Sequence, residues 1–383
     1  MKATLLNIFL TFLKLGCTAF GGPAMVPYIR RDVVEKYGWV SEADFSAGMG
    51  LAQIVPGATA MQVAAWSGLR ARGIAGALAA YAGFGIPAFA MMTALSIIYF
   101  TYGETAVVSS LFTGLKAVIT AFVANAAISF ARLYLKERIH WMLCIAALIL
   151  MLAGSGPIWA LIIVCLASVF LLKESIKVKR IETVHKKNGF NVLLKMLSIL
   201  AAACIILFLF DRELFKISIT MMKIDLFAFG GGYVSLPLML HEIVEKHAWM
   251  SRSVFMDGIA LGQVTPGPIV MTSAFVGYSL HQITGAVIAT LSVFAPSFII
   301  INSAAPFYEQ LSGSSIMHKA LKGSLISLVA LMVYISGQFL IAMPVQPLTI
   351  LILVISFTAI YKGIDILKVV LACSVISLLA GII

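Results

Sequence analysis

The chain has 383 residues, of which 61% are hydrophobic and 11% charged, and its mean hydropathy is +1.03. A water-soluble domain is near half apolar and a quarter charged, so this composition excludes a soluble enzyme and implies several bilayer-spanning helices. The net charge of +11, from 27 Lys and Arg against 16 Asp and Glu, fits the basic surplus that orients polytopic membrane proteins better than it fits nucleic-acid binding.

In chain order, helices are predicted at 3–22, 46–68, 74–100 and 111–131, then as a short pair at 141–153 and 157–172 split by Gly154-Ser155-Gly156-Pro157. Lys14 interrupts the apolar run of 4–20, so this end reads as a retained helix and not a signal peptide. The basic stretch 173–190 is the longest polar one, and the apolar segment 191–210 follows it. Further helices are expected at 214–237, 253–277, 285–304 and 321–342, with a short pair within 346–383. The total is about thirteen spans. The five cysteines, Cys17, Cys144, Cys165, Cys204 and Cys373, are scattered, and read as small apolar residues with no disulfide framework or metal site.

An internal repeat organises these elements. Comparison of 33–57 with 243–267 gives 11 identities in 25 positions, among them Glu35/Glu245, Trp39/Trp249, Gln53/Gln263 and Pro56-Gly57/Pro266-Gly267. The match continues through Gly68/Gly277, Gly76/Gly285, Pro87/Pro296 and Lys116/Lys322. A period near 210 suits the two halves of a transporter. The expected domains are a first repeat at 1–172, a basic cytoplasmic linker with one connecting span at 173–213, and a second repeat at 214–383. One connecting span between repeats of even span number inverts the second copy. Loop charges agree with inversion: Arg70, Arg72, Arg132, Lys136 and Arg138 mark first-copy loops, and the matching second-copy loops near His281-Gln282 and 341–347 carry no Lys or Arg. The loop 28–45 mixes both charges and leaves its side open; if it is cytoplasmic, 46–68 becomes a re-entrant hairpin. The expected fold is an all-α polytopic membrane protein of two inverted-topology repeats, each of about six helices or half-helices.

Each copy has two places where a membrane helix should break: Phe20-Gly21-Gly22-Pro23 with Phe229-Gly230-Gly231-Gly232, and Gln53 to Thr59 with Gln263 to Pro268. Freed backbone groups are tolerated in a bilayer only where protein or a water-filled cavity satisfies them. A half-helix starting after Pro56-Gly57 or Pro266-Gly267 would aim its positive end at an anion. Lys14 and Lys223, and Lys116 and Lys322, are repeat-equivalent cations in apolar surroundings, where a charge costs at least ~2.5–3.5 kcal/mol, so they read as lining an anion path or snorkelling to an interface. Gln53, Thr59, Gln62, Gln263, Thr265 and Thr272 add neutral donors. Asp225, whose first-copy equivalent is Gly16, is the intramembrane carboxylate available for coupling, although an ion pair with a nearby lysine would explain it equally. The sequence holds no phosphate-binding loop, no HExxH and no GxSxG, so nothing points to an enzyme, a cofactor or a metal.

The Phe-Gly-Gly and Pro-Gly segments, together with the run from Trp39 to Phe45, resemble the chromate ion transporter family in its long, two-domain form, over essentially the whole chain. Two segments depart from well-studied exporters: Val26 replaces a His, and Ala58-Thr59 replaces Pro-Asn. The resemblance implies an antiporter or potential-driven carrier of the inner (plasma) membrane that expels chromate or a similar tetrahedral oxyanion by alternating access. Its partners would be the lipid bilayer and a small inorganic anion, with no nucleic acid and with a homodimer left open. A carrier of sulfate, molybdate or a small carboxylate, and a passive anion channel, are the alternatives.

Overall fold

The computed structural model describes residues 2–18, 25–102, 105–173, 189–304 and 313–382. Phe20, Gly21 and Gly22, and most of the basic linker, lie outside the described residues. Among those described there are helices and no strands, and the chain is an all-α polytopic membrane protein. Among the described residues, five helices are long and apolar enough to cross a membrane: Thr59–Tyr102, Ser110–Tyr134, Leu193–Phe210, Ile269–Ala304 and Ser315–Ala342. This is fewer than the thirteen spans expected, because several segments are shorter helices or are broken.

The first half runs through α1 (Leu5–Thr18), α2 (Val26–Arg30, continued by a π-helical turn Arg31–Lys36), α3 (Glu42–Ile54), α4 (Thr59–Tyr102), α5 (Ala106–Tyr134), α6 (Arg138–Leu152) and α7 (Pro157–Leu171). Then α8 (Gly189–Phe210) intervenes. The second half follows with α9 (Arg212–Leu226), α10 (Gly232–Met239, with its π turn Leu240–Lys246), α11 (Arg252–Val264), a 3-10 turn Ile269–Met271 leading into α12 (Thr272–Ala304), α13 (Ser315–Ala342), α14 (Pro347–Tyr361) and α15 (Ile366–Ile382). The element order of the first half recurs in the second, with α8 unduplicated. Local detail recurs too. Trp39 N–H donates to the Val33 carbonyl and Trp249 N–H to the Ile243 carbonyl, each at 2.8 Å. The Trp rings stack on Tyr37 and His247 at 4.8 and 4.6 Å.

The expected continuous helix 46–68 is not formed. α3 ends at Ile54, Val55 is extended, and α4 begins at Thr59. The two arms run antiparallel: Trp66 Nε1 donates to the Asp44 carbonyl at 2.8 Å, Arg70 pairs with the Asp44 carboxylate, and Gly48 lies against the Trp66 ring. Thirteen residues of α3 extend about 20 Å, too short for a ~30 Å hydrocarbon core. Residues 42–71 therefore make the hairpin geometry that the mixed loop left open, with Pro56-Gly57 at its tip. The Ser41 hydroxyl caps its first arm by accepting from Asp44 N–H at 3.1 Å.

A second fold-back lies within α4. Arg72 (φ −155°, ψ 34°) and Gly73 (φ 64°, ψ −159°) leave helical torsions, as His281 (φ −142°, ψ 36°) and Gln282 (φ 49°, ψ −137°) do in α12. The arms then meet at Gly68 with Gly76, and at Gly277 with Gly285, where any side chain would strike the opposing backbone. Small residues are what allow helices to approach this closely in a membrane.

The chain divides into two compact units, and each draws on both halves of the sequence. Unit 1 comprises Met1–Ala94, Glu174–Leu236 and Thr265–His318; unit 2 comprises Leu95–Lys173, Pro237–Val264 and Lys319–Ile383. In unit 1, α1 packs on α4 through Gly16, Gly83 and the edge-on rings of Phe12 and Phe84, and α9 packs on α12 through the Ser218–Ser292 hydroxyl pair at 2.8 Å. In unit 2, α5 is held against α14 and α15, with Asn125 Nδ2 donating to the Phe357 carbonyl at 3.1 Å and Ser110 donating to the Ser377 carbonyl at 2.9 Å.

Candidate substrate site

Unit 1 gathers the Pro-Gly breaks of both repeats with the glycine break of the second. Gly57 and Gly267 have φ of 118° and 105°, and Gly230 and Gly231 have 95° and 102°. Only glycine adopts such torsions without strain, so these positions fix where the chain turns. Gly57 N–H donates to the Ala228 carbonyl at 3.0 Å, tying the first Pro-Gly turn to the second glycine break. That donor is satisfied by protein, so it is not among the groups open to an anion. Gly57 also packs on Ser297, and a Cβ on Gly267 would lie 2.5 Å from that of Ala88. Ser297 and Ala88 each follow the proline inside a long helix, Pro296 and Pro87. Each Pro-Gly turn thus packs on the residue that follows the proline in the other repeat's long helix.

The buried polar groups cluster at the Gly57 contact. Gln62 is fully buried and donates through Nε2 to the Pro56 carbonyl, while its Oε1 accepts no hydrogen bond. Ser297 N–H donates to Asp225 Oδ2 at 2.7 Å, and Asp225, fully buried, has Oδ1 without a hydrogen bond. The Tyr81 hydroxyl donates to the Phe294 carbonyl at 2.9 Å and lies 3.2 Å from Ser297 Oγ. Thr59 is half-buried, and its hydroxyl is 3.1 Å from where a Cβ of Gly231 would sit. Tyr81 and Ser297 were not predicted. Neither stands in a motif, and only the fold carries them to Asp225.

The other predicted residues distribute as follows. Lys14 and Gln53 are exposed on α1 and α3. Lys223 is half-buried and engaged within the protein, as is Lys322 on α13. Phe229 is half-buried beside the glycine break, Pro56 and Pro266 are buried at the turns, and Thr265 is buried with a partner. Lys116 and Gln263 belong to unit 2. There, Gln263 has a buried Nε2 without a hydrogen bond, and Lys116 lies 3.5 Å from Asp257, a carboxylate that the sequence reading did not single out.

Unit 1 also holds a cleft of about 610 Å³ between α4 and α12, lined by residues including Leu78, Tyr81, Ile86, Phe89, Ile199 and Phe298. Its walls are almost entirely apolar, so it suits hydrocarbon and offers a dianion no solvation. Among the described residues, no group of His, Cys, Asp and Glu could hold a metal ion.

Two stretches, 6–171 and 215–381, match one family model, described as chromate transporter. An uncharacterized transporter of Methanocaldococcus jannaschii is 39% identical over 377 residues, covering 98% of this chain and 94% of that protein. Chromate transport proteins of Cupriavidus metallidurans and Pseudomonas aeruginosa are each 28% identical, over 310 and 331 residues; each alignment covers 80% of this chain, and 75% and 73% of those proteins. No solved structure matches the chain.

Proposed function

The chain belongs to the chromate transporter family, and from that premise we propose that it expels chromate, or a similar tetrahedral oxyanion, across the inner membrane by secondary active transport. It is a multi-pass membrane transporter and not an enzyme. The observation that carries the proposal is the meeting, within unit 1, of both Pro-Gly turns, the second glycine break and a buried carboxylate. Broken helices in a bilayer mark the place where a polar substrate replaces lost backbone partners.

In this reading the two repeats are inverted and rock about the site to give alternating access. The half-helix that starts at Thr59 presents its positive end and the Thr59 hydroxyl to the anion. Within unit 1, Lys14 and Lys223 offset the dianion charge; within unit 2, Lys116 and Lys322 line the anion's path and Gln263 Nε2 is a neutral donor there. Asp225 is the coupling carboxylate: it is fully buried, accepts the Ser297 amide through Oδ2 and leaves Oδ1 without a hydrogen bond.

The test is radiolabelled chromate and sulfate flux in proteoliposomes holding only this protein, under imposed pH and voltage gradients. Saturable, gradient-dependent flux is expected. Lys14→Met and Lys223→Met should each abolish it while leaving membrane insertion intact. Normal flux in both variants would remove the lysines from the mechanism, and a flux that neither saturates nor answers to a pH gradient would identify a channel.

A further inference from the structure

Unit 2 contains a charged cluster in apolar surroundings that the motifs did not announce. Asp257, on α11, is 4% exposed. Lys116, on α5, brings Nζ to 3.5 Å from Asp257 Oδ1, with 13% of its side chain exposed. The Tyr99 hydroxyl donates to Asp257 Oδ2 at 2.8 Å. The Tyr99 ring lies edge-on to Phe100 and Phe112 at 5.0 Å. A buried pair of this kind does not earn its place as a stability device, because desolvating two ions offsets most of their attraction.

Its geometry is informative. A charge-assisted hydrogen bond closes to about 2.7–2.9 Å, whereas here Asp257 Oδ1 accepts no hydrogen bond at all. The carboxylate is fixed through Oδ2 by Tyr99, and the ammonium is held by charge alone. The charged groups next to α11, on its own first turn and on the preceding π turn, are engaged elsewhere. Glu242 pairs with Lys246 at 3.3 Å, Glu245 with Arg252 at 3.7 Å and with His241 at 2.9 Å, and on the packed α15 Cys373 shares a hydrogen with Ser356 while Lys368 is exposed. Among the described residues, Lys116 and Tyr99 are the charged and titratable groups that face Asp257. The carboxylate also occurs in one half only, because the repeat equivalent of Asp257 is Ala47.

We propose that Asp257 is a positioning residue that withholds Lys116 from the transported anion until it is protonated. This rests on the reading of the chain as an anion carrier with Lys116 on its path. One ammonium cannot serve two anions in a dry interior, so carboxylate and substrate compete for it. When Asp257 takes up a proton, the competition ends and Lys116 turns to the anion. When Asp257 is ionised, it reclaims the ammonium. The sign follows: anion affinity falls as pH rises, and each anion bound draws up to one proton onto the carboxyl. A dianion then moves with its proton as a net monoanion, which the inside-negative potential drives outward.

The experiment measures chromate and sulfate KM and maximal flux against pH in proteoliposomes, and proton uptake on anion addition to purified protein with a pH indicator. In the parent protein KM should rise with pH. In Asp257→Asn it should stay at the parent's low-pH value throughout, with no proton taken up, and Asp257→Glu should restore both behaviours. A merely structural role would lower maximal flux and leave the pH dependence of KM in place, and that result in Asp257→Asn would overturn the proposal. If the single variant fails to insert, the neutral double variant Lys116→Met with Asp257→Asn keeps the question open to decision. Loss of anion affinity at every pH is expected, and parent-like affinity would overturn the proposal. Absence of anion flux in the parent protein would overturn the transport reading itself and this inference with it; parent flux with an unaltered KM profile in the variants would overturn only the inference.

Discussion

Gly16 in the first repeat and Asp225 in the second are equivalent positions with opposite surroundings. A Cβ on Gly16 would lie 2.5 Å from the Phe84 carbonyl oxygen, so α1 and α4 touch backbone to backbone. At the second position a carboxylate enters the same kind of helix contact and accepts the Ser297 amide at 2.7 Å. The pattern recurs: Ser297 corresponds to Ala88, and Asp257 to Ala47. Both repeats keep the glycines, prolines and hinges that shape the backbone. Asp225 and Asp257 sit in the second repeat alone, whereas Asp32 and Glu242 are acids buried at equivalent positions in both. Duplication thus preserved the scaffold needed for packing in lipid, where close approach and satisfied backbone groups are obligatory. At these two positions the ionisable chemistry diverged, and each further buried charge would add cost.

The sharpest way to break this comparison is to exchange the chemistry. Gly16→Asp should destabilise by more than about 3 kcal/mol, since the new carboxylate meets a backbone carbonyl with no donor to satisfy it. Loss of the folded peak in detergent size-exclusion chromatography would register it, and a well-folded, active variant would show that the first repeat has room for the acid after all. Asp225→Asn should fold, keep its KM profile and lose the pH response of maximal flux. That split separates it from Asp257→Asn, whose effect is expected on KM.

A gentler pair of substitutions tests what the repeats share. Gly68→Ala and Gly277→Ala each push a methyl group into the opposing glycine's carbonyl. Each should cost about 1–3 kcal/mol and lower the thermal midpoint by a similar amount. A large difference between the two would mean that one fold-back is looser than its twin.

The smallest effect belongs to the surface networks, which the repeats build with reversed charge. Arg30 bridges Glu35 and Glu42 in the first half, and Glu245 bridges His241 and Arg252 in the second. The hydrogen bond from Arg30 holds the Glu42 carboxyl below its ordinary value. A lowered carboxylate stabilises above its unfolded value and loses that contribution as pH falls through the lowered one. Both side chains are solvated, so Arg30→Ala should leave flux unchanged, lower the thermal midpoint only slightly at neutral pH and not alter it in acid, where the contribution is already lost.

Much of the architecture was legible because lipid restricts it so strongly. Apolar run length, the recurrence of Pro56-Gly57 as Pro266-Gly267 and the duplicated Phe-Gly-Gly segments announced an all-α membrane protein with broken helices. Hydropathy did not separate a spanning helix from the short arms of a hairpin. Residues 46–68 are apolar enough for either, and the break at 55–58 with the Trp66 contact to Asp44 decides for the hairpin. Of the site, the glycines, the prolines and Asp225 stood out by composition alone. Tyr81, Tyr99 and Asp257 did not, because the hydroxyl contacts that place them join residues 158 and 216 positions apart in the chain.

By itself, then, the sequence determined the class, the duplication and the family, since hydropathy and repeated motifs are properties of a linear chain. The tertiary structure decided which groups meet. It placed the Pro-Gly turn of each repeat beside the helix-interior proline of the other, used the Gly57 amide within the protein and joined Lys116 to Asp257. Pairing between buried groups depends on the packing of helices distant in sequence, and no local pattern encodes it.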